Sequence, residues 1–397
     1  MAWHNKVEKI GRWLNIWLSQ FSVLRLKNKR PEDKKATGVV IIKMDAIGDF
    51  LIWLDSAAQY KNIYPNQKIT LVCNTVCKEI AKHTGFFDEI VEIQSKRFEA
   101  DNKYKKEVLS ILEQKNFDIL LQPAYSRTVD MDILAYHIPA NEKIGFMADE
   151  SRENLSRYLT FRWIRKKMDA VYDKLIPSGE ENQMELERNA KFIRGLGHDY
   201  VVGYPVLPPA KVKAEVIPQK PYVVIFPGAS SSKKMWSIER FAEVGEYIIT
   251  EKNMDIFLCG SKEEAYLYGK FVDALKVPAL AVRVHDYFGK TTLLELAEVI
   301  RNAEILIGND TSGIHFAAAV NTKGICIFGE FAYGRFLPYS CEKNVPMHKP
   351  IIVCHAGMEC VGCSHGAITP KCKEHLMKTG QHLCIEKVSV EQVISHI

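Results

Sequence analysis

The sequence contains no run of eighteen or more apolar residues, so it predicts no membrane-spanning helix. The GxxxxGK(S/T) spacing of a P-loop is absent, and no GxGxxG follows any predicted strand. These absences count against a P-loop nucleotide hydrolase and against a classical NAD-binding domain. The net charge is only +5, with basic and acidic residues mixed along the chain, which argues against a dedicated nucleic-acid-binding protein.

The N-terminus also lacks the pattern of a secretory signal. Asn15, Ser19 and Gln20 interrupt its apolar run, and no small-residue cleavage site follows. We therefore expect a cytoplasmic protein. Residues 1–35 instead carry an apolar stripe with steps of three and four residues, surrounded by lysine and arginine. The stripe predicts an amphipathic basic helix that either lies in a membrane interface or docks on the protein's own core.

The length of 397 residues suggests two domains. From Gly38 onward, apolar strands alternate with helices, which predicts an α/β fold with parallel sheets covered on both faces. A proline-rich stretch at 203–221 ends the first unit, and the alternation then restarts. We expect two doubly wound, Rossmann-like domains facing a cleft. The expected boundaries are 1–35 for the N-terminal helix, 38–205 and 218–335 for the two domains, and 336–397 for a cysteine-rich tail with a final helix.

The first loop that could support chemistry is KMDAIGDFL, after the first predicted strand. Gly48 is expected to allow a sharp backbone turn, with Asp49 just before the helix. A carboxylate at the carboxyl end of a strand can act as a general base toward a hydroxyl group. Two alternatives remain at this point: Asp49 is simply a helix cap, or Asp45 in the same loop is the base.

The second loop, FPGASSSKKMW, follows the first strand of the second domain. Gly228 and its small neighbours can bring backbone N–H groups close to a phosphate. Ser230 and Ser231 add hydroxyl groups, and Lys234 offers an ammonium group for a charge-assisted contact. A loop of serine and lysine is otherwise ordinary solvated surface.

The third loop, IGNDTSGIHFAAA, leads straight into a helix of small residues. The unpaired N–H groups and the positive dipole end of that helix form an anion site suited to a diphosphate. The candidate residues here are Asp310, Thr311, Ser312, Gly313 and, one turn into the helix, His315. The alternatives are a helix of small residues that only packs closely on the sheet, and a histidine with a structural role.

Two further patterns are weaker. Asp130 and Asp132, in VDMD, resemble the metal-binding Asp-x-Asp motif found in one glycosyltransferase fold. The rest of the chain does not fit that fold. The tail contains a Cys-x2-Cys pair followed by two more cysteines, which could together hold a tetrahedral structural zinc. Disulfides or unpaired thiols are the alternatives, and in each case we assign the tail a structural role. The four cysteines are Cys360, Cys363, Cys372 and Cys384.

Taken together and in this order, the three loops resemble the motifs of glycosyltransferase family 9. Its best-known members are the ADP-heptose:lipopolysaccharide heptosyltransferases. The resemblance covers roughly residues 38–335, through IIKMDAIGDFL, FPGASSSKKMW and ILIGNDTSGIHFAAA. It implies a GT-B fold, an inverting mechanism without a required metal, a nucleotide-diphosphate sugar as donor and a cell-envelope glycan as acceptor.

The resemblance also implies roles for individual residues. Asp49 matches the family's proposed catalytic base, Lys234 the lysine that contacts donor phosphate, and Ser230 a hydroxyl residue on the same phosphate. Asp310 matches an acid in the nucleotide-sugar site, and His315 another donor-site position. The segment Thr311–Gly313 matches the diphosphate cradle, and Glu264 in GSKEEAY matches a glutamate near the nucleoside.

Three functional hypotheses follow from these residues. The favoured one is an inverting glycosyltransferase that moves a sugar, with heptose from ADP-heptose as the expected donor, to a lipopolysaccharide-core or related acceptor. The acceptor would be lipid-linked or an oligosaccharide, and residues 1–35 could hold the enzyme at the inner leaflet. The alternatives are a nucleotide-sugar epimerase, which needs no acceptor, and a non-catalytic protein of envelope assembly that retains nucleotide-sugar binding.

Overall fold

The protein is described by a computed structural model that covers residues 26–31, 36–147, 162–179, 183–219, 221–341, 350–358 and 368–397. These residues form two compact units. The first contains most of the chain up to Tyr200. The second contains the described residues from Val201 to Ile397, together with Leu51–Asp55 and the described part of Asn182–Glu187.

The first unit is built on a six-stranded parallel sheet in the order β3-β2-β1-β4-β5-β6. The strands are β1 (Val39–Lys43), β2 (Ile69–Asn74), β3 (Glu89–Ile93), β4 (Phe117–Gln122), β5 (Ala140–Met147) and β6 (Lys174–Pro177). The helices are α1 (Ile47–Ala57), α2 (Tyr60–Ile63), α3 (Lys78–Thr84), α4 (Ser95–Ala100), α5 (Asn102–Glu113), α6 (Val129–His137), α7 (Arg162–Asp169) and α8 (Glu185–Gly195).

The second unit has a sheet of the same kind, in the order β12-β11-β10-β7-β8-β9. Its strands are β7 (Tyr222–Phe226), β8 (Asp255–Leu258), β9 (Val284–Asp286), β10 (Ile305–Asn309), β11 (Gly324–Ile327) and β12 (Ile351–Cys354). Its helices are α9 (Ile238–Glu251), α10 (Tyr266–Asp273), α11 (Leu293–Arg301), α12 (Ser312–Ala319), α13 (Pro370–Thr379), α14 (Leu383–Glu386) and α15 (Val390–Ile394).

Both sheets confirm the predicted α/β class with parallel strands. Every residue of β1 and of β7 is buried, as expected for central strands that helices cover on both faces. In each sheet the strand order reverses beside the first strand, between β1 and β4 and between β7 and β10. Loops at such a switch point are where open α/β sheets bind ligands. The three loops singled out in the sequence follow β1, β7 and β10.

The structure differs from the sequence-based expectation at both ends of the chain. The second sheet does not stop at residue 335, because β12 pairs in parallel with β11 and completes the sheet at Cys354. The tail contributes three helices rather than one final helix. At the other end, residues 26–31 have no regular secondary structure, so the helix expected over 1–35 does not extend through them. Residues 1–25 lie outside the described part of the chain.

The short segment 28–30 is held firmly against the first unit. The Arg30 guanidinium forms a two-pronged ion pair with Asp173 at 2.6 and 2.8 Å. Asn28 accepts a hydrogen bond from the buried Lys143 ammonium at 2.7 Å and donates one to the Val171 carbonyl at 3.0 Å. Burial lowers the pKa of Lys143 to about 7, with a further contribution from the nearby Arg30. These contacts fix where the N-terminal segment leaves the first unit.

Candidate active site

Asp49 lies in the first turn of α1, the helix that follows β1. This corrects two details of the sequence-based expectation. Gly48 is itself helical and makes no sharp turn, and Asp49 is the third residue of the helix, so it neither precedes the helix nor forms its N-cap. The half-buried Asp49 carboxylate therefore lies at the positive end of the helix dipole.

The rival base in the same loop, Asp45, is engaged elsewhere. Its Oδ2 lies 2.7 Å from the ammonium of Lys43, and the two side chains are only 13% and 3% exposed. Its backbone carbonyl accepts a hydrogen bond from the Cys77 thiol at 3.7 Å. The Asp45 carboxylate is therefore already part of a mostly buried ion pair within the first unit. Asp45 thus has a structural interaction, and Asp49 stays the candidate base that the family resemblance implies.

In the second unit, the loops after β7 and β10 meet through charged side chains. Lys234 ends a 3-10 turn, Ser232–Lys234, which the Ser231 hydroxyl caps by accepting from the Lys233 N–H. The Lys234 ammonium lies 3.1 Å from Asp310 Oδ2. The Asp310 side chain is 5% exposed, whereas that of Lys234 is 28% exposed. The carboxylate is thus the more buried member of the pair, and the ammonium is the more exposed one.

A buried asparagine that the sequence analysis missed joins the same two loops. Asn309, the last residue of β10, donates through its side-chain amide to the carbonyls of Pro227 and Gly228 at 2.8 and 3.2 Å. Its amide oxygen accepts from the Trp236 N–H at 3.0 Å. Because the loops are tied at both ends of the SSSKK segment, the position of Lys234 relative to β10 is set by hydrogen bonds. The only sequence signal was a polar residue closing an apolar strand.

Helix α12 begins directly after Asp310, as predicted, with Thr311 at its N-cap. Its first N–H groups have no acceptor within the helix and are available to an anion. The Thr311 hydroxyl does not cap the helix, and its Oγ1 is buried without a hydrogen-bond partner among the described residues. Gly313 is required by packing, because a Cβ there would lie 2.7 Å from the Phe226 ring. The helix start therefore presents N–H groups and a hydroxyl close to the sheet.

His315 is one turn into α12 and only 4% exposed. Burial lowers the pKa of His315 to about 4, and the positive charge of Lys234 adds to this while Asp310 opposes it. The imidazole is therefore neutral at pH 7. Its Nδ1 lies 2.6 Å from the Tyr339 hydroxyl, in a segment that the sequence analysis placed outside the site.

Glu264 packs against the glycine of the second loop. It closes a capping box with Ser261, accepting the Ser261 N–H at 2.8 Å. A Cβ on Gly228 would lie 2.1 Å from Glu264 Oε1, so this glycine is needed for the close approach. Ser230, which is in the loop after β7 together with Gly228, is exposed. Residues that follow β7, β8 and β10 thus converge in the second unit, whereas Asp49 belongs to the first.

The C-terminal tail supports the loop of residues 231–236, which we call the lysine loop. No sequence pattern had indicated this support. The His382 N–H donates to the Lys233 carbonyl at 3.1 Å, and the Gln381 side chain donates to the Met235 carbonyl at 3.1 Å. The Trp236 indole N–H donates to the Val388 carbonyl at 2.9 Å. The tail is therefore part of the scaffold that fixes Lys234.

Two metal sites were considered from the sequence, one at the Asp-x-Asp motif and one in the cysteine-rich tail. Asp130 and Asp132 are engaged in separate interactions: Asp130 pairs with Lys105 at 3.0 Å, and the buried Asp132 lies 3.4 Å from Arg127 and accepts from the Tyr172 hydroxyl. Cys372 and Cys384 of the zinc hypothesis are both buried, while Cys360 and Cys363 lie outside the described residues. Within the described ranges, no group of three or more His, Cys, Asp or Glu side chains could hold a metal ion.

The sequence model of glycosyltransferase family 9 (heptosyltransferase) matches residues 111–352, more than half of the chain. The chain belongs to glycosyltransferase family 9. It is therefore an enzyme that transfers a glycosyl group, and neither the epimerase nor the non-catalytic alternative is favoured. The match spans the last three strands of the first sheet and most of the second unit, including the lysine loop and the start of α12.

Individual relatives and solved structures agree with this assignment. The chain is 26% identical over 328 residues to the lipopolysaccharide core heptosyltransferase OpsX of Haemophilus influenzae, covering 77% of this chain and 82% of OpsX. In fold it is similar to the Escherichia coli ADP-heptose lipopolysaccharide heptosyltransferase II, with a TM-score of 0.63, 14% identity, and coverage of 90% and 97% of the two chains. It is also similar to the dodecameric iron-containing heptosyltransferase TibC of enterotoxigenic Escherichia coli in complex with ADP-D-β-D-heptose, with a TM-score of 0.52, 13% identity, and coverage of 93% and 76%.

Both structural similarities support the GT-B fold of this family 9 glycosyltransferase. Within the described residues, no helix is both long and apolar enough to span a membrane.

Proposed function

We propose that this family 9 glycosyltransferase transfers heptose from ADP-heptose to a lipopolysaccharide-core or related envelope glycan. The observation that carries the proposal is the anion site after β7 and β10. It combines the partly exposed ammonium of Lys234, the N-terminus of α12 and the hydroxyl of Thr311, which has no hydrogen-bond partner among the described residues. The names of the relatives supply the sugar and the acceptor class.

The proposed reaction is a single displacement at the anomeric carbon, with inversion. Asp49 accepts the proton of the acceptor hydroxyl, whose oxygen forms the new bond as the bond to the diphosphate breaks. A positioned base of this kind contributes about 10²–10⁴ in rate. The electron pair of the breaking bond goes to the leaving ADP.

The departing diphosphate is the group that needs stabilisation, since it gains negative charge in the transition state. We propose that Lys234, the hydroxyls of Ser230, Ser231 and Thr311, and the N–H groups of Ser312 and Gly313 supply it. Asp310 holds the ammonium in place, and Glu264 lies toward the nucleoside. These groups would take the place of a catalytic metal ion, so transfer should proceed in the presence of a chelator.

A transfer assay tests the proposal with the full chain. ADP-heptose is incubated with heptose-deficient lipopolysaccharide, and the product is followed by mass spectrometry together with ADP release. We expect a mass gain of one heptose that depends on both substrates and survives EDTA. Release of ADP without acceptor, conversion of the donor alone, or equal activity with UDP- and GDP-sugars would contradict it.

The location of the enzyme is a separate proposal. We propose that it is cytoplasmic and contacts the inner leaflet through its basic, tryptophan-bearing N-terminal segment, which enters the first unit at residues 28–30. Sedimentation with vesicles that contain anionic lipid, for the full chain and for a variant that lacks residues 1–25, tests this. We expect the full chain to pellet in low salt and the shortened chain to stay in solution. Equal behaviour of the two would contradict the proposal.

A further inference from the structure

The hydroxyl of Tyr339 makes a short contact with α12, the helix whose N-terminus belongs to the proposed anion site. It lies 2.6 Å from Nδ1 of His315, which is one turn into α12. Tyr339 follows β11 in the chain and lies outside the three loops that carry the family motifs. Among the described residues, no other hydrogen-bond partner is found for either the imidazole of His315 or the hydroxyl of Tyr339.

The protons of this contact can be assigned from the chemistry of the two groups. Burial raises the pKa of Tyr339 well above its usual value, so the phenol keeps its proton at neutral pH. Burial also keeps His315 neutral, with a single ring proton. If that proton were on Nδ1, it would point at the Tyr339 oxygen, and the phenol proton would have no acceptor among the described residues. The arrangement that satisfies both groups has Tyr339 donating to Nδ1, which places the ring proton on Nε2.

The ring of Tyr339 is itself fixed by packing. The buried Tyr204 contacts it edge-on, with ring centroids 5.0 Å apart and planes at 87°. Such an edge-to-face pair restricts the tilt of both rings. The hydroxyl is thus held at a set position relative to His315.

We propose that Tyr339 is a positioning residue, whose hydroxyl holds the imidazole of His315 in the tautomer with its proton on Nε2, as a hydrogen-bond donor to the leaving diphosphate. The tautomer is a property of the free protein. Its use toward a diphosphate rests on the proposed function. A neutral donor complements Lys234, because it adds a directed hydrogen bond without placing a second charge beside the ammonium.

The tautomer can be measured without any ligand. The full chain is labelled with ¹⁵N-histidine, and long-range ¹H–¹⁵N spectra are recorded near pH 7 for the wild type, Tyr339→Phe and Tyr204→Phe. His315→Gln assigns the signal. We expect the wild type and Tyr204→Phe to show a pyrrole-type Nε2 and a pyridine-type Nδ1, and Tyr339→Phe to show mixed shifts. A wild-type signal with the proton on Nδ1, or an unchanged signal in Tyr339→Phe, would overturn the proposal.

A double-mutant comparison tests the use of this tautomer in the reaction. Tyr339→Phe should lower kcat roughly tenfold, the loss expected for one misdirected hydrogen bond, with little change in the KM of the acceptor. In the His315→Ala background the same substitution should have no further effect, because Tyr339 acts through His315. Equal losses in both backgrounds would indicate a structural role only. If no transfer occurs with any substrate, the proposed function fails while the tautomer measurement still stands or falls by itself.

Discussion

The ammonium of Lys234 lies 3.1 Å from the buried carboxylate of Asp310, so a positive charge of the second loop forms an ion pair with the third loop. The sequence placed each residue in a separate motif. Their contact shows that the two motifs meet in the folded chain, with the ammonium bound to the residue that precedes the N-cap of α12. This arrangement leads to predictions about which groups bind the donor and which only maintain the fold.

Replacing Lys234 by methionine should weaken the binding of ADP by about 10- to 100-fold, the equivalent of one charge-assisted hydrogen bond of about 1.5–3 kcal/mol. Asp310, left without its partner, would also repel the diphosphate. Isothermal titration calorimetry with ADP measures the change. The matched control is Lys270→Met on the surface of α10, which should bind as the wild type does. Unchanged affinity in a folded Lys234→Met variant would remove the lysine from the donor site.

Thr311→Val should separate binding from stability. Because the Thr311 Oγ1 has no partner among the described residues, its loss should leave the melting temperature unchanged or slightly higher. ADP should nevertheless bind about 5- to 10-fold more weakly, since the variant lacks the hydroxyl that we propose binds the diphosphate. Thr322→Val is the opposite control. Its buried hydroxyl donates to the Ile300 carbonyl at 2.8 Å, so that variant should melt earlier and bind ADP normally. The hypothesis does not survive if the two variants behave alike.

The base is identified by comparing Asp49→Asn with Asp45→Asn. Asp49→Asn should reduce kcat by about 10²–10⁴ while ADP affinity stays within twofold. Asp45→Asn removes the negative charge that pairs with the buried ammonium of Lys43 and should lower the free energy of unfolding by about 1.5–3 kcal/mol. It should still turn over when assayed well below its melting temperature. An active Asp49→Asn variant beside an inactive but folded Asp45→Asn variant would reverse the assignment.

Lys143 should make stability depend on pH in the alkaline range. Its pKa is lowered by burial from 10.5 to about 7, so between these values the unfolded chain binds a proton that the folded chain has released. The free energy of unfolding should therefore rise with pH across this window, by at most about 1.4 kcal/mol per pH unit from this residue. Urea unfolding of the wild type and Lys143→Met at pH 7, 8 and 9 isolates the effect. Parallel pH profiles for the two proteins would show that the ammonium is not desolvated.

The metal hypothesis for the tail is tested by elemental analysis of the full chain. If the four cysteines bind zinc, the chain should contain about one zinc ion, which is lost in Cys372→Ser and retained in Cys73→Ala, whose thiol is buried in β2 of the other unit. Disulfides or unpaired thiols, the alternatives, would leave the chain without zinc. Loss of the metal should also weaken ADP binding, because residues 381–388 hold the backbone and indole of the lysine loop. Substoichiometric metal in the wild type would contradict a structural site, and iron in place of zinc would correct the identity of the ion.

Part of the site was predictable because it depends on short segments of chain. Burial on both faces makes the central strands continuously apolar, so β1, β7 and β10 are easy to locate. The polar residues that follow each of them are then placed at the carboxyl edge by the topology of parallel sheets. That is why Asp49, Lys234 and Asp310 could be singled out from the sequence.

By itself, the sequence determined the α/β class, the two parallel sheets and the loops that contribute to the site, because these follow from hydrophobic periodicity and local motifs. Tertiary structure alone decided which polar groups meet. The amide of Asn309 across two loops, the hydroxyl of Tyr339 on His315 and the tail's support of Lys233–Trp236 join residues from separate segments, and no local pattern records such contacts. Whether a buried side chain is satisfied or left for a ligand is settled only when distant parts of the chain pack together.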